Sequence, residues 1–314
     1  DAALADCLLS RCFSRFDPLS LCMARAEHDQ SASIAQLSQG VAYQNLLLNL
    51  ESLKQSAKRM NKSAVLAAIG LEFTLEDCMS SAEDWRTGLY DLLDQIRADV
   101  AKAGLRCPPI LSLFDCGTQH INDHPILRAQ WELTWTGHDH GFYFVAPSYM
   151  FHFDGQGRLA QQDLAAVAEM ELAALQTLEQ EKEWICPIVL LAEREPDPKV
   201  IRVRCRATDP LVLDATDPFG VGASCGFSFE GADHDVEITS VTIAPDDPCD
   251  VLITCRDAPM GDGLTLRYGF GQDIARNDVD HPSACGSLRD TWRHKTEAGR
   301  TLHKWAFPAA LPVH

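Results

Sequence analysis

VAPSYMFHFDGQGRLAQQDLAAVAEMELAAL, residues 145–175, passes directly from one kind of secondary structure to another. Its first residues end GFYFVAPS, a run rich in aromatic and apolar side chains that reads as a buried strand. From Asp163 onward, DLAAVAEMELAALQTLEQEKE reads as a helix by its length and its strong helix formers. Between them SYMFHFDGQGRLAQQD, residues 148–163, is a loop that carries His152 and Asp154. Strand, loop and helix in this order, if repeated, build a parallel sheet clothed by helices.

Toward the N-terminus the same alternation returns. YQNLLLNLESLKQSAKRM has helical spacing and basic residues near its end, Asn61 stops it, and SAVLAAIG follows as a buried strand. In SAEDWRTGLYDLLDQIRADVAKAG, Ser81 stands three residues before Asp84 as a cap would, and Gly104 ends the helix. PPILSLFDC is a further strand, and residues 124–135 are a helix or an irregular segment. Residues 1–184 are therefore expected to form an α/β three-layer sandwich, although LADCLLSRCFSRFDPLSLCMARAE is broken at Pro18.

Past Trp184 the pattern changes to ICPIVLLAE, KVIRVRCRA, LVLDAT, CGFSFEG, VEITSVTIA, CDVLITCRD and GLTLRYGF, separated by Pro, Asp and Gly turns. Strands spaced by about ten residues mark an all-β sandwich, here residues 185–314, smaller than the first domain and joined to it without a flexible linker.

Charge limits the partners. The 314 residues hold 27 Lys and Arg against 45 Asp and Glu, a formal net charge of −18. The excess is acidic in both halves, so phosphate backbones and anionic lipid heads are repelled and no nucleic acid is expected as ligand. No apolar run approaches the roughly 18 residues of a membrane span, so no membrane insertion is expected. A chain opening at Asp1 is read as processed or as a piece of a longer product. The 12 cysteines include no C-x-x-C pair, and several sit in apolar runs such as WICPIVLL, which reads as mostly reduced thiols and argues against a zinc ribbon. His120, His124, His138 and His140, with Asp115, Asp123 and Asp139, crowd one stretch, but their spacing fits no metal pattern; no metal and no other cofactor is expected.

In an open parallel sheet, ligands bind beyond the carboxyl ends of the strands. The loops at those ends contain Gly70, Glu72, Asp115, Gln119, Ser148, His152 and Asp154. The succession QSASIAQLSQG, AIGLEFTLED, the W-x-x-GLYDLLDQIR helix, Ala129–Gln130 and the opening stretch resembles the SGNH (GDSL-like) hydrolase superfamily, nearest to carbohydrate O-acetylesterases of the sialate type and to phage-borne proteins. VEITSVTIAPDDPCDVLIT, GLTLRYGF, CGSLRDTW and LHKWAFP are similar to the terminal β-domain of those proteins. The resemblance implies a flavodoxin-like parallel sheet and a serine esterase centre. Such a centre needs a serine whose proton a base removes, donors aimed at the oxyanion, and an Asp-x-x-His near the end of the domain.

The blocks depart from that pattern. No GDS or GQS occurs near the N-terminus, Ser31 or Ser33 of DQSASI stands where a glycine belongs, and the third block reads Gly70-Leu71-Glu72. Asp154 matches the aspartate, but the base position falls on Gly157 or Arg158, and an arginine cannot accept a proton. The chain is accordingly read as a degenerate serine esterase whose vestigial cleft holds Gly70, Glu72, His152 and Asp154. The alternative is an active carbohydrate O-acetylesterase with its nucleophile upstream of Asp1 and His152 as base.

Other motifs carry less. Gly222-Ala223-Ser224-Cys225-Gly226 fits G-x-S-x-G but precedes a strand-like run rather than a helix, and Asp278-Val279-Asp280-His281 lies in a loop with no partner serine. Among Trp131, Trp135, Trp292 and Trp305, Trp292 sits beside Arg289, Asp290 and Arg293, the side chains of a sugar platform; the plainer reading is an aromatic that packs the β-domain. The expected function is carbohydrate or receptor binding without turnover, in a fibre or spike of a phage, virion or gene-transfer-agent particle. Its partners would be a cell-surface or capsular polysaccharide, other particle subunits and a second copy in a homo-oligomer. The location would be extracellular, with a secreted or periplasmic protein, or a purely structural virion subunit, as alternatives.

Overall fold

The computed structural model describes residues 2–15, 17, 21–27, 32–72, 77, 80–116, 126–153, 159–269 and 285–314. Its first half contains α1 (Ala2–Ser14), α2 (Ile34–Leu37), α3 (Val41–Arg59), β1 (Ile69–Gly70), α4 (Ala82–Lys102), β2 (Ile110–Phe114), α5 (Ile126–Thr136), β3 (Phe142–Pro147) and α6 (Leu164–Glu179). The three strands form one parallel sheet in the order β1-β2-β3, with helices between successive strands.

The local rules that shape this half are visible in α4. Trp85, Leu89, Leu92, Leu93, Ile96 and Val100 recur at helical spacing and all are buried, so one face of the helix seals the core. The Asp84 N–H donates to Ser81 Oγ at 3.1 Å, which caps the start. Gly104, at φ +74°, takes the left-handed conformation just past the end. Asn61 does the same after α3 at φ +53°.

One expected element is shorter than its sequence implies. Of SAVLAAIG only Ile69 and Gly70 pair with a neighbour, and Val65 is 77% exposed. The run has the continuous apolar character of a strand covered on both sides, yet among the described residues β1 lies at the edge of the sheet, where half of its ladder has no partner strand.

In the second half the strands pair antiparallel within their sheets: β4 (Ile188–Arg194), β5 (Val200–Arg206), β6 (Leu211–Leu213), β7 (Phe227–Glu230), β8 (Ile238–Ile243), β9 (Asp250–Cys255), β10 (Thr265–Tyr268), β11 (Leu288–Lys295), β12 (Thr301–Trp305) and β13 (Ala309–Pro312), with one isolated parallel bridge from Ala192 to Val313. The sheets run β4-β5-β9-β8, β13-β10-β7 and β12-β11-β6. The change of architecture falls between the end of α6 at Glu179 and the start of β4 at Ile188. No helix among the described residues is long and apolar enough to cross a membrane.

The two halves share a core. Phe307 stacks on Phe114 of β2 with ring centroids 5.0 Å apart, and Leu302 and Trp305 join the same buried cluster. Polar ties reinforce the contact. Tyr149 Oη donates to the Ala306 carbonyl at 2.7 Å and Trp131 Nε1 to the Val189 carbonyl at 2.8 Å. Each of these donors would cost free energy if buried without an acceptor, so the ties fix orientation as well as contact.

Candidate functional site

The carboxyl end of the parallel sheet is held together by side chains reaching between its loops. Gln130, buried in α5, accepts the Asp115 N–H at 2.7 Å and donates to the Asp115 carbonyl at 3.0 Å, clamping the exit of β2. The next backbone donor, the Cys116 N–H, reaches Ser148 Oγ at 2.9 Å, which ties that exit to the one after β3. Ser148 itself is buried and begins a short 3-10 turn, Ser148–Met150, that leads into His152.

His152 marks the point where the chain turns back. Phe153 bridges to Leu159, and the Ala160 N–H donates to the His152 carbonyl at 2.9 Å, so the loop closes on itself. This closure brings Asp163, at the head of α6, against the histidine. Asp163 Oδ2 accepts the His152 backbone N–H at 2.6 Å and lies 2.7 Å from His152 Nδ1. Its other oxygen receives Arg300 Nη1 from the second half, and Arg300 Nη2 also donates to the Met150 carbonyl at 2.7 Å. Asp163 is 3% exposed. Burial works to raise its pKa, but the donors from His152 and the Arg300 charge prevail and hold it below the ordinary carboxylate value.

Chemically this is a histidine aimed by a carboxylate. An ionised Asp163 accepts a hydrogen bond from Nδ1–H, which selects the tautomer whose Nε2 is the acceptor. The side chain of His152 is 36% exposed, so solvent reaches the ring while its partner is sequestered.

The other residues singled out from sequence fall elsewhere. Gly70 and Glu72 are exposed at the end of β1. β2 separates β1 from β3, placing their ends roughly 10 Å apart by strand spacing, so it is Asp163, not Gly70 or Glu72, that the fold brings to His152. Asp154, Gly157 and Arg158 lie outside the described residues, as do Ser31, Gln119, His120, Asp123, His124 and residues 278–281. His138 and His140 occupy a turn, Gly137–His140, where His138 packs on Tyr143 and His140 Nδ1 stands 3.2 Å from Asp94. No group of three or more metal-ligating side chains forms among the described residues. Gly222–Ser224 is a single 3-10 turn that Cys225 and Gly226, both at positive φ, lead into β7; no helix follows it.

Arg289, Asp290 and Trp292 do not form an outward platform. Arg289 Nε is bound to Asp214 Oδ2 at 2.7 Å and its guanidinium lies over Trp305. Asp290 is fully buried. Trp292 meets Trp184 edge-on at 5.2 Å and shares with it the ammonium of Lys304, which stands 4.5 Å from the Trp184 ring and 5.6 Å from that of Trp292. Trp131 and Trp135 likewise pack on each other, edge to face at 4.5 Å.

Asp163 and Arg300 are the site residues that sequence reasoning missed. The usable signal for Asp163 was its place directly before a helix, where an aspartate ordinarily caps the first turn. Here its side chain makes no capping bond and serves His152 instead.

No family model matches the chain, and no curated protein matches it. The crystal structure of the S-layer protein rSbsC(31-844) aligns with 98% of this chain at 14% identity and a TM-score of 0.25, and the chain spans 37% of that protein. A likeness that slight carries no argument about fold or function.

Proposed function

We propose that the end of the parallel sheet is the acid–base centre of a carbohydrate-ester hydrolase of the SGNH kind, with His152 as general base and Asp163 as the carboxylate that positions it. The observation that carries this reading is the 2.7 Å contact between His152 Nδ1 and the buried Asp163 Oδ2. In the reaction, Nε2 takes the proton of an attacking hydroxyl as its oxygen adds to the acyl carbonyl, and later returns a proton to the departing sugar oxygen. A base of this kind contributes roughly 10²–10⁴-fold in rate. On this reading the first half is a three-layer, flavodoxin-like SGNH domain and the second a β-sandwich.

A second reading is carbohydrate recognition without turnover, on the surface of a phage or gene-transfer-agent particle. The engagement of Ser148 favours it: the serine closest to His152 in sequence is buried, and its Oγ is occupied by the Cys116 N–H. One experiment separates the two. The chain is incubated with p-nitrophenyl acetate and with acetylated glycans at neutral pH, beside His152→Ala. Hydrolysis that falls by roughly 10²–10⁴-fold in the variant supports the first reading. Undiminished hydrolysis in the variant rejects it, and retention on a glycan array with no hydrolysis by either protein gives the second.

A further inference from the structure

The sheet β4-β5-β9-β8 places two thiols side by side that are far apart in sequence. β5 and β9 run antiparallel with Val203 opposite Val251 and Arg204 opposite Asp250. One step further, the Cys205 N–H donates to the Cys249 carbonyl at 3.2 Å, so the two cysteines stand directly across the ladder. Residues in that relation project from the same face of the sheet. It is the inner face: Ile201 and Val203 alternate inward before Cys205, Val251 and Ile253 do so after Cys249, and all four are buried. Cys205 packs against the cluster they form.

The geometry suits a bond. A hydrogen-bonded antiparallel pair holds its Cα atoms about 5.5 Å apart, inside the roughly 4.4–6.8 Å that a disulfide spans. Both cysteines are free thiols and half-buried. Cys249 sits at the end of the ladder, where its own N–H is bound by Asp247 Oδ1 at 2.8 Å in the turn before β9. A strand end can yield by the small movement that closing the two sulfurs requires.

We propose that Cys205 and Cys249 form a redox site, joined across the β5–β9 ladder on oxidation and released on reduction. The oxidant is of the low-molecular-weight disulfide class, such as oxidised glutathione. The Cys249 thiolate attacks one sulfur of the reagent and expels the first glutathione thiolate. The Cys205 thiolate then attacks the Cys249 sulfur of the mixed disulfide and expels the second. Two protein thiols lose two electrons and two protons, and one disulfide reagent becomes two thiols. Burial raises both thiols above their ordinary pKa, and the Asp250 carboxylate adds to the shift, so thiolate is scarce at neutral pH and the reaction speeds up in mild alkali. Once formed, the bond closes the loop that holds β6, β7 and β8 and constrains the unfolded chain.

The test uses the full chain, equilibrated in glutathione buffers at mildly alkaline pH, alkylated and mapped by mass spectrometry without reduction. The expected result is a fragment pair joining Cys205 to Cys249, two hydrogens lighter than the separate fragments and split by dithiothreitol. The unfolding midpoint of the oxidised chain should rise by about 5 °C, and Cys205→Ser and Cys249→Ser should each abolish the rise. Recovery of both residues as alkylated thiols from the most oxidising buffer overturns the proposal, and so does a bond from either to a different cysteine. The mapping is made on the unaltered chain, so it decides the matter even if a serine variant fails to fold.

Discussion

Asp163 and Asp290 are two buried aspartates in two regions of one molecule, and their pKa values move in opposite directions. Asp163, at the end of the parallel sheet, receives the His152 N–H and ring and the Arg300 guanidinium, and its pKa is lowered. Asp290, in β11, accepts the Trp292 N–H at 3.0 Å on Oδ1, while Oδ2 meets no donor among the described residues. Burial raises Asp290 to about 7 despite the nearby Lys304 charge. Both are shielded from solvent, and burial works to raise each pKa, but only at Asp163 do enough donors meet the carboxylate to reverse the shift. A carboxylate held ionised can orient a base, whereas one whose ionisation burial disfavours is part of the packing between the halves.

The sharpest way to break this contrast is Asp163→Ala. Removing the acceptor leaves Arg300 and the His152 N–H without their partner, and the loss in chemical denaturation should be about 3 kcal/mol. A loss below about 0.5 kcal/mol, within the range of ordinary surface changes, would mean that Asp163 organises nothing. Next in size is Trp292→Ala, which should cost about 2 kcal/mol because a half-buried indole leaves the Trp184 and Lys304 packing. Glycan retention by the folded variant should be unchanged; its loss would restore the sugar platform.

The smallest effect is a slope with pH. Asp290 has its folded pKa raised to about 7, so between the unfolded value near 4 and that value the folded state keeps a proton that the unfolded state has released. Its contribution is complete below the unfolded pKa and is lost as pH rises through about 7. Asp163 has the opposite sign: its contribution is present above the unfolded pKa and is lost as pH falls through its lowered folded value. Midpoints measured from pH ~4 to ~8 should therefore fall less steeply for Asp290→Asn than for the unaltered chain. Identical slopes would show that Asp290 titrates as an ordinary exposed acid.

Much of the architecture was legible because it depends on near neighbours. The buried face of α4, its Ser81 cap, the glycine and asparagine stops and the change to antiparallel strands after α6 all follow from spacing and turn chemistry. The inward turn of Asp290 was legible too. Leu288, Asp290 and Trp292 alternate along β11, and period-two alternation puts all three on the face that Leu288 buries. The partner of His152 was not legible. Asp154 is near in sequence, yet the loop closure from Phe153 to Leu159 brings Asp163 to the ring, and Arg300 comes from the other half of the chain.

By itself the sequence determined the kind of most elements and the change from alternating strands and helices to strands alone, since helical and strand periodicities are local properties of the backbone, and it carries a formal net charge of −18. Tertiary structure alone decided which groups face one another: His152 with Asp163 and Arg300, Cys205 with Cys249, and Asp290 with no donor for its second oxygen among the described residues. The physical reason is reach. A hydrogen bond or a thiol pair needs its atoms within a few ångströms, and separation along the chain says little about distance once loops close and sheets pair.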